Sequence, residues 1–244
     1  MKVVLYIILG IVIIVIGFFV WFFVFFLQVP ELNIPENSSE KEKIVLIDNW
    51  LEKLNSERKF NGGILITKDG EPTLAKTYGF TNSKKTEKLN NNSSFRLASI
   101  SKQFTAIGIM LLKEKEQINY DDVVSKYISN FPYDNVTIRN LLNQTSGIPD
   151  SYLDLAEKSK DKIGILTNEK AIKLIVENKP KANFEPNDKY EYSNTNYIAL
   201  ARIIEIVSNQ SFENFMKDNI FIPLRMNDTR VWNLISEDKT FKGK

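Results

Sequence analysis

An unbroken apolar run opens the chain. Residues 3–27 carry no charged side chain, and these 25 positions exceed the roughly 20 residues that a helix needs to cross a bilayer core. A cleavable signal peptide is the alternative, but its apolar region usually spans about 7–15 residues and precedes small residues. The pattern therefore predicts an uncleaved transmembrane anchor at residues 1–28.

The charges around this run predict its orientation. Lys2 precedes the apolar residues, whereas Glu31, Glu36 and Glu40 follow them. Cytoplasmic flanks tend to carry the positive charges. We therefore expect a single-pass membrane protein whose folded domain lies on the extracytoplasmic side. Residues 29–42, rich in Pro, Asn, Ser and Glu, are predicted to form a polar linker.

After the linker the hydrophobic period changes twice. Residues 43–56 repeat apolar side chains at helical spacing, and residues 62–79 alternate around Asp69-Gly70, a strong signal for a β-hairpin. Helical patterns then predominate, at 99–115 (apolar face Phe104, Ile107, Leu111 and Leu112), 122–128, 138–144, 169–178, 196–208 and 212–219. The pattern predicts an α+β domain over residues 43–244, with helix and hairpin in 43–98 and a helical lobe in 99–232.

Two absences from the composition limit the chemistry. The chain has no cysteine and no histidine, which excludes disulfides, thiolate or imidazole metal sites and the Ser-His-Asp triad. Any catalytic base must be Lys, Tyr, Glu or Asp. The net charge of +2, without a basic stripe, argues against a nucleic-acid partner. We expect neither a cofactor nor a metal.

A Ser-x-x-Lys pair on a helix brings a hydroxyl and an amine onto one face. The pattern occurs five times, at Ser38, Ser56, Ser99, Ser159 and Ser236, so it identifies nothing alone. Only Ser99, which Lys102 follows three positions later, lies between an apolar-rich segment (residues 95–98) and an apolar predicted helix. At a helix start the free backbone N–H groups can meet negative charge. The alternative is that Ser99 is simply a helix N-cap.

Four segments around these residues resemble the β-lactamase-related family, on the branch nearest class C β-lactamases and D,D-peptidases. The resemblance covers roughly residues 45–232. It is carried by the nucleophile segment 95–106, the hairpin start 62–66, the helix-to-turn segment 137–150 and the segment 184–197, which contains a Tyr-x-Asn motif.

The resemblance implies a role for each of four site residues. Ser99 would attack a carbonyl, Lys102 would help to take its proton, and Tyr192 would act as phenolate or proton shuttle. Asn194 would hold Lys102 and a substrate amide. A phenol whose pKa is lowered by an ammonium is a reasonable base in a chain without histidine. The alternative for Tyr192 is an aromatic packing residue.

The third motif of the family, Lys or His followed by Ser/Thr and Gly, has no counterpart before Lys244. Lys239-Thr240-Phe241 lacks the glycine. We therefore expect an incomplete antiparallel sheet, with the C-terminal part of the β-lactamase/transpeptidase-like fold missing.

Two functions follow from this pattern. The first is a serine hydrolase that acts through an acyl-enzyme on a β-lactam, a D-alanyl peptide or a small ester or amide. The second is a non-catalytic membrane-anchored penicillin-binding or sensor-like module, or an inactive truncated fragment.

Overall fold

The structure, a computed structural model, describes residues 2–23, 28–159 and 164–232. The chain forms two compact units, one up to Phe95 and the other from Arg96 onward. The predicted α+β class is confirmed, with one helix–hairpin unit and one helical unit.

Helix α1 spans Lys2–Trp21, and residues 24–27 of the predicted anchor lie outside the described part. Among the residues that are described, no helix is both long enough and apolar enough to span a membrane. The expected transmembrane anchor at residues 1–28 is therefore not supported.

The linker ends earlier than predicted, because helix α2 covers Glu40–Ser56. Ser39 and Glu42 form a reciprocal capping box in which each side chain accepts from the backbone N–H of the other residue. The Ser-x-x-Glu spacing at residues 39–42 is a sequence signal for this helix start, but the prediction from apolar spacing did not use it. Trp50 Nε1 donates to the carbonyl of Pro30 at 2.6 Å, which ties the linker to the helix.

The predicted hairpin is confirmed as two antiparallel strands, β1 (Gly62–Lys68) and β2 (Glu71–Tyr78). Asp69 and Gly70 both take positive φ, as the two central positions of a tight hairpin turn of this kind require. Ile64 packs toward the small core formed by Leu51, Leu54 and Tyr78, whereas Leu65 points away from it. The hairpin therefore buries one face against α2.

A charged cluster joins β2 to α2. Asp48 accepts hydrogen bonds from Lys76 Nζ at 2.8 Å and from the Tyr78 hydroxyl at 2.7 Å. Lys76 also pairs with Glu52 at 2.8 Å. The hydrogen bonds from Lys76 and then Tyr78 hold the pKa of Asp48 below its usual value.

The helical unit is built around α3 and α7. Its elements are a 3₁₀ turn Ala98–Ser101, α3 (Lys102–Glu114), a 3₁₀ turn Val124–Lys126, α4 (Ile138–Asn143), α5 (Tyr152–Lys158), α6 (Asn168–Asn178), α7 (Asn194–Ser208), α8 (Phe212–Met216) and a π-helical turn Lys217–Phe221. Helices α3, α4, α6, α7 and α8 enclose one apolar core.

The buried face of α3 differs from the predicted one. Thr105, Gly108, Ile109 and Leu112 are buried, while Ile107 is exposed. A Cβ on Gly108 would lie only 2.9 Å from Ile204 Cδ1 of α7 and 2.7 Å from Met216 Cε of α8. The missing side chain lets these helices approach closely, a role that apolar periodicity alone does not indicate.

Candidate active site

Ser99 lies in the 3₁₀ turn that leads into α3, not in the α-helix predicted for it. Ala98, directly before it, has a φ of +46°, a left-handed conformation that is costly for a residue with a Cβ. Ser99 itself is exposed. The turn thus presents the hydroxyl to solvent at the start of a helix, while α3 carries Lys102 as its first residue.

Lys102 lies between the serine and two other groups of the site. Its Nζ donates to Ser99 Oγ at 3.2 Å and to Asn194 Oδ1 at 2.7 Å. It also lies 4.9 Å from the centre of the Tyr192 ring, within cation–π range. Lys102 is half-buried, whereas Lys41 and Lys59 of two other Ser-x-x-Lys matches are exposed. The lysines of the remaining two matches, Lys162 and Lys239, lie outside the described residues.

Tyr192 brings its hydroxyl within 2.6 Å of Ser99 Oγ, and either atom can donate. The Lys102 ammonium and, after it, the hydrogen bond with Ser99 hold the pKa of Tyr192 below its ordinary value. Partial burial and the Asp150 carboxylate raise that pKa, but with smaller effect. The phenol beside Ser99 therefore gives up its proton more readily than a free tyrosine.

Asn194 is the first residue of α7. Its Oδ1 accepts from Lys102 Nζ and from the Tyr192 hydroxyl, the latter at 3.2 Å. Its Nδ2 donates to Asp150 Oδ2 at 2.8 Å. The four residues expected at the site therefore meet, and Asp150 joins them. Asp150 is the last residue of the segment 137–150, but the sequence predicts no role for it. Residue spacing does not reveal where a loop directs a carboxylate.

The turn before Asp150 is structural. Gly147 has a φ of +73°, and a Cβ there would lie 2.1 Å from the carbonyl oxygen of Phe184. Buried Ser146 donates to Asn196 Oδ1 at 2.6 Å. The turn therefore fixes the loop of Asp150 against the start of α7.

Asn140 and Gln144 support the segment that carries Tyr192. Asn140 Nδ2 donates to Asn187 Oδ1 at 2.7 Å, and Asn187 takes a left-handed conformation with a φ of 75°. Gln144 Oε1 accepts from the backbone N–H of Ser193 at 3.0 Å and from Asn196 Nδ2 at 2.6 Å. These two buried amide side chains hold the backbone around Tyr192. In the described part of the chain, neither forms a hydrogen bond with Ser99.

The second Tyr-x-Asn match, at Tyr133, differs in every relevant respect. Tyr133 is buried and donates to the carbonyl of Pro180 at 2.7 Å. Burial raises its pKa to about 12. It is a packing residue, and the contrast with Tyr192 shows how strongly the surroundings decide the chemistry of a phenol.

No group of three or more acidic side chains suited to a metal ion is found in the part of the chain that the structure describes. The near match to a third motif, Lys239-Thr240, lies outside that part. The described chemistry is therefore that of a hydroxyl, an ammonium, a phenol, an amide and a carboxylate.

Comparison with known proteins agrees with this constellation. Penicillin-binding protein 4* of Bacillus subtilis is 41% identical over 187 residues, which cover 77% of this chain and 41% of that protein. The chain spans about two fifths of the length of the curated relatives it matches.

Solved structures of similar fold include a penicillin-binding protein homologue from Pyrococcus abyssi, described as octameric. It is 31% identical with a TM-score of 0.65, and the match covers 75% of this chain and 43% of that one. D-amino acid amidase from Ochrobactrum anthropi, complexed with D-phenylalanine, is 26% identical with a TM-score of 0.60. That match covers 72% of this chain and 49% of the amidase.

The sequence model of the β-lactamase family matches residues 47–243, more than three quarters of the chain. The described residues of the chain also adopt the fold of a solved penicillin-binding protein homologue. On both grounds, the chain belongs to the β-lactamase family.

Proposed function

We propose that the protein is a serine hydrolase that cleaves a β-lactam, a D-alanyl peptide or a small ester or amide through an acyl-enzyme at Ser99. The observation that carries this proposal is the placement of Ser99 Oγ, 2.6 Å from the Tyr192 hydroxyl and 3.2 Å from Lys102 Nζ. Both distances are short enough for direct proton transfer.

Acylation begins with Tyr192 as phenolate, stabilised by the Lys102 ammonium. As Ser99 Oγ bonds to the substrate carbonyl carbon, its proton moves to the Tyr192 oxygen, and the carbonyl π electrons move onto the oxygen. Collapse of this tetrahedral intermediate breaks the bond to the leaving group. The proton on Tyr192 then passes to the leaving nitrogen or oxygen, which regenerates the phenolate.

Deacylation repeats these steps with water in the place of Ser99. The Tyr192 phenolate takes a proton from water, and the resulting hydroxide attacks the ester carbonyl. The proton then returns to Ser99 Oγ as the acyl group leaves as a carboxylic acid. Asn194 keeps the Lys102 ammonium beside the phenol in both halves of the cycle.

The substrate classes are supported by the relatives. One is a penicillin-binding protein by name, and another similar structure is a D-amino acid amidase. A carbonyl compound with a good leaving group, or a D-configured amide, is therefore the substrate class we favour. The extracytoplasmic location of the domain stays a prediction of the charges that flank residues 3–27.

A covalent probe tests the proposal directly. Fluorescent penicillin and a fluorophosphonate should each label the protein, and Ser99→Ala should abolish the signal. Ser56→Ala is the matched control, because Ser56 begins another Ser-x-x-Lys pair but its hydroxyl donates to the carbonyl of Lys53. Mass spectrometry should find the adduct on the peptide that contains Ser99.

The same experiment separates the two functional classes. Labelling by penicillin that decays within minutes, with release of the opened product, is the result expected for hydrolysis. A stable adduct would exclude β-lactam hydrolysis, and turnover of a D-alanyl peptide or small ester would then separate a hydrolase from a penicillin-binding or sensor module. Absence of labelling by both probes would refute acyl transfer at Ser99.

A further inference from the structure

Asp150 holds the beginning of α7 through two contacts. Its Oδ2 accepts from Asn194 Nδ2 at 2.8 Å, and its Oδ1 accepts from the backbone N–H of Thr195 at 3.3 Å. The preceding carbonyl, that of Pro149, accepts from Thr195 Oγ1 at 3.1 Å. Three hydrogen bonds thus join a short stretch of loop to the residues that follow Tyr192.

These contacts define which end of the Asn194 amide faces which group. An ionised carboxylate can only accept hydrogen bonds, and an ammonium can only donate them. Asp150 therefore selects the amide nitrogen, and Lys102 selects the amide oxygen. If the amide were turned over, its NH₂ would face the Lys102 ammonium and its oxygen would face the carboxylate. Neither contact could then form.

The support of Asp150 is rigid although the carboxylate itself is exposed. Ile148 and Thr195 are almost fully buried, and Gly147 has no room for a side chain. The loop cannot easily turn the carboxylate away, because the backbone before it and the start of α7 beside it are packed. Asp150 is therefore well suited to impose a fixed orientation on a neighbour.

We propose that Asp150 is a positioning residue that locks the Asn194 amide with its oxygen toward Lys102 and Tyr192. The inference rests on the proposed function.

The charges around Tyr192 predict how the loss of Asp150 should alter the pH profile. The titratable groups with an electrostatic effect on the phenol or a response to it are Lys102, Asp150, Tyr152 and Tyr197. Lys102 lowers the pKa of Tyr192, and Asp150 raises it. Removal of the carboxylate should therefore move the rise of acylation rate with pH toward lower pH.

Asp150→Asn is the central variant, because it keeps the size of the side chain and removes its obligate acceptor character and charge. We expect the rate of acylation by fluorescent penicillin at neutral pH to fall about 10-fold or more, a typical effect for one misplaced catalytic group. The pH at half-maximal rate should decrease. Asp154→Asn, an exposed carboxylate on α5, is the matched control and should acylate at the wild-type rate.

A double-mutant cycle separates positioning from a general loss of structure. If Asp150 acts through Asn194, Asp150→Asn should have little further effect in the Asn194→Ala background. Additive losses in the double variant would overturn the proposal. So would an Asp150→Asn protein that keeps both the wild-type rate and the wild-type pH profile.

A second readout does not depend on acylation. The side-chain NH₂ of Asn194, assigned by its loss in Asn194→Ala, should give slowly exchanging ¹H–¹⁵N signals in the wild-type protein and faster exchange in Asp150→Asn. If no probe labels the wild-type protein, the proposed function fails, and this exchange still decides the role of Asp150. Equal exchange in the two proteins would refute it.

Discussion

The hydroxyl of Tyr192 lies 2.6 Å from Ser99 Oγ although 93 positions separate the two residues in the chain. Each is held by a different part of the helical unit, Ser99 by the turn before α3 and Tyr192 by the segment before α7. The packing of α3 on α7 therefore sets the distance between the two hydroxyls. Three of the predictions below follow from this geometry or from the packing that supports it.

Tyr192→Phe should reduce acylation of Ser99 by about 10²–10⁴-fold, the usual contribution of a positioned general base. The ring and its contact with Lys102 would remain, so the loss would report on the hydroxyl alone. Stopped-flow measurement with a chromogenic cephalosporin gives the rate. Tyr190→Phe is the control, because Tyr190 is two positions away and two thirds exposed. A Tyr192→Phe protein with the wild-type rate would exclude the phenol as base.

Lys102→Met should shift the pH dependence of acylation toward higher pH. The Lys102 ammonium is the largest cause of the lowered pKa of Tyr192. Without it, the phenol keeps its proton to higher pH, and the ascending part of the profile should move upward. The rates of wild type and variant across pH 6–10 provide the measurement. If the acylation rate falls at every pH but the pH of half-maximal rate stays the same, Tyr192 is not the group that titrates.

The sequence predicts elements with strong local signals and predicts less well where tertiary contacts decide. The hairpin follows from the Asp69-Gly70 turn, and α2 follows from its helical apolar spacing. Helix α5 was not predicted, and none of its residues is buried, so it has no strongly apolar face to signal it. The 3₁₀ turn at Ser99 and the close approach at Gly108 depend on neighbours that are distant in sequence.

The candidate site shows the same division. The residues Ser99, Lys102, Tyr192 and Asn194 could be named from their motifs, and the structure brings them together. Asp150 could not be assigned a role, since nothing local indicates that its carboxylate meets the amide of Asn194. The packing of a loop determines where its side chains point, and a short sequence motif does not predict that packing.

Gly147→Ala should destabilise the helical unit. The left-handed backbone alone costs about 1–3 kcal/mol for a residue with a Cβ, and the contact with the carbonyl of Phe184 adds to it. Thermal unfolding followed by circular dichroism should show a lower melting temperature. Gly164→Ala is the matched control, because a Cβ there would meet nothing within 4 Å. Equal melting of the two variants would contradict the assigned role of the turn.

Asp48→Asn should destabilise the helix–hairpin unit by about 1–2 kcal/mol at neutral pH, because Lys76 and the buried Tyr78 hydroxyl lose a charged acceptor. The pKa of Asp48 is depressed in the folded state. Its stabilisation is therefore complete above the unfolded pKa of about 3.9 and is lost as the pH falls through the folded value.

Thermal melts of wild type and Asp48→Asn at pH 7 and near pH 2–3 provide the measurement. The difference between the two proteins should shrink at the lower pH. Glu71→Gln, an exposed substitution in the same hairpin, should melt like the wild type at both. A difference of equal size at both pH values would mean that the charge of Asp48 does not contribute.

The division of the chain into two units has a practical consequence for experiments on Ser99. Among the described residues, the groups that hydrogen-bond to its hydroxyl, Tyr192 and Lys102, both belong to the helical unit. The rate at which a fluorophosphonate modifies Ser99, measured at increasing urea concentrations, would therefore report on the unfolding of that unit alone. Compared with the fluorescence of Trp50 in a protein whose other two tryptophans, Trp21 and Trp232, are replaced by Phe, this rate would reveal whether the two units unfold together or in turn.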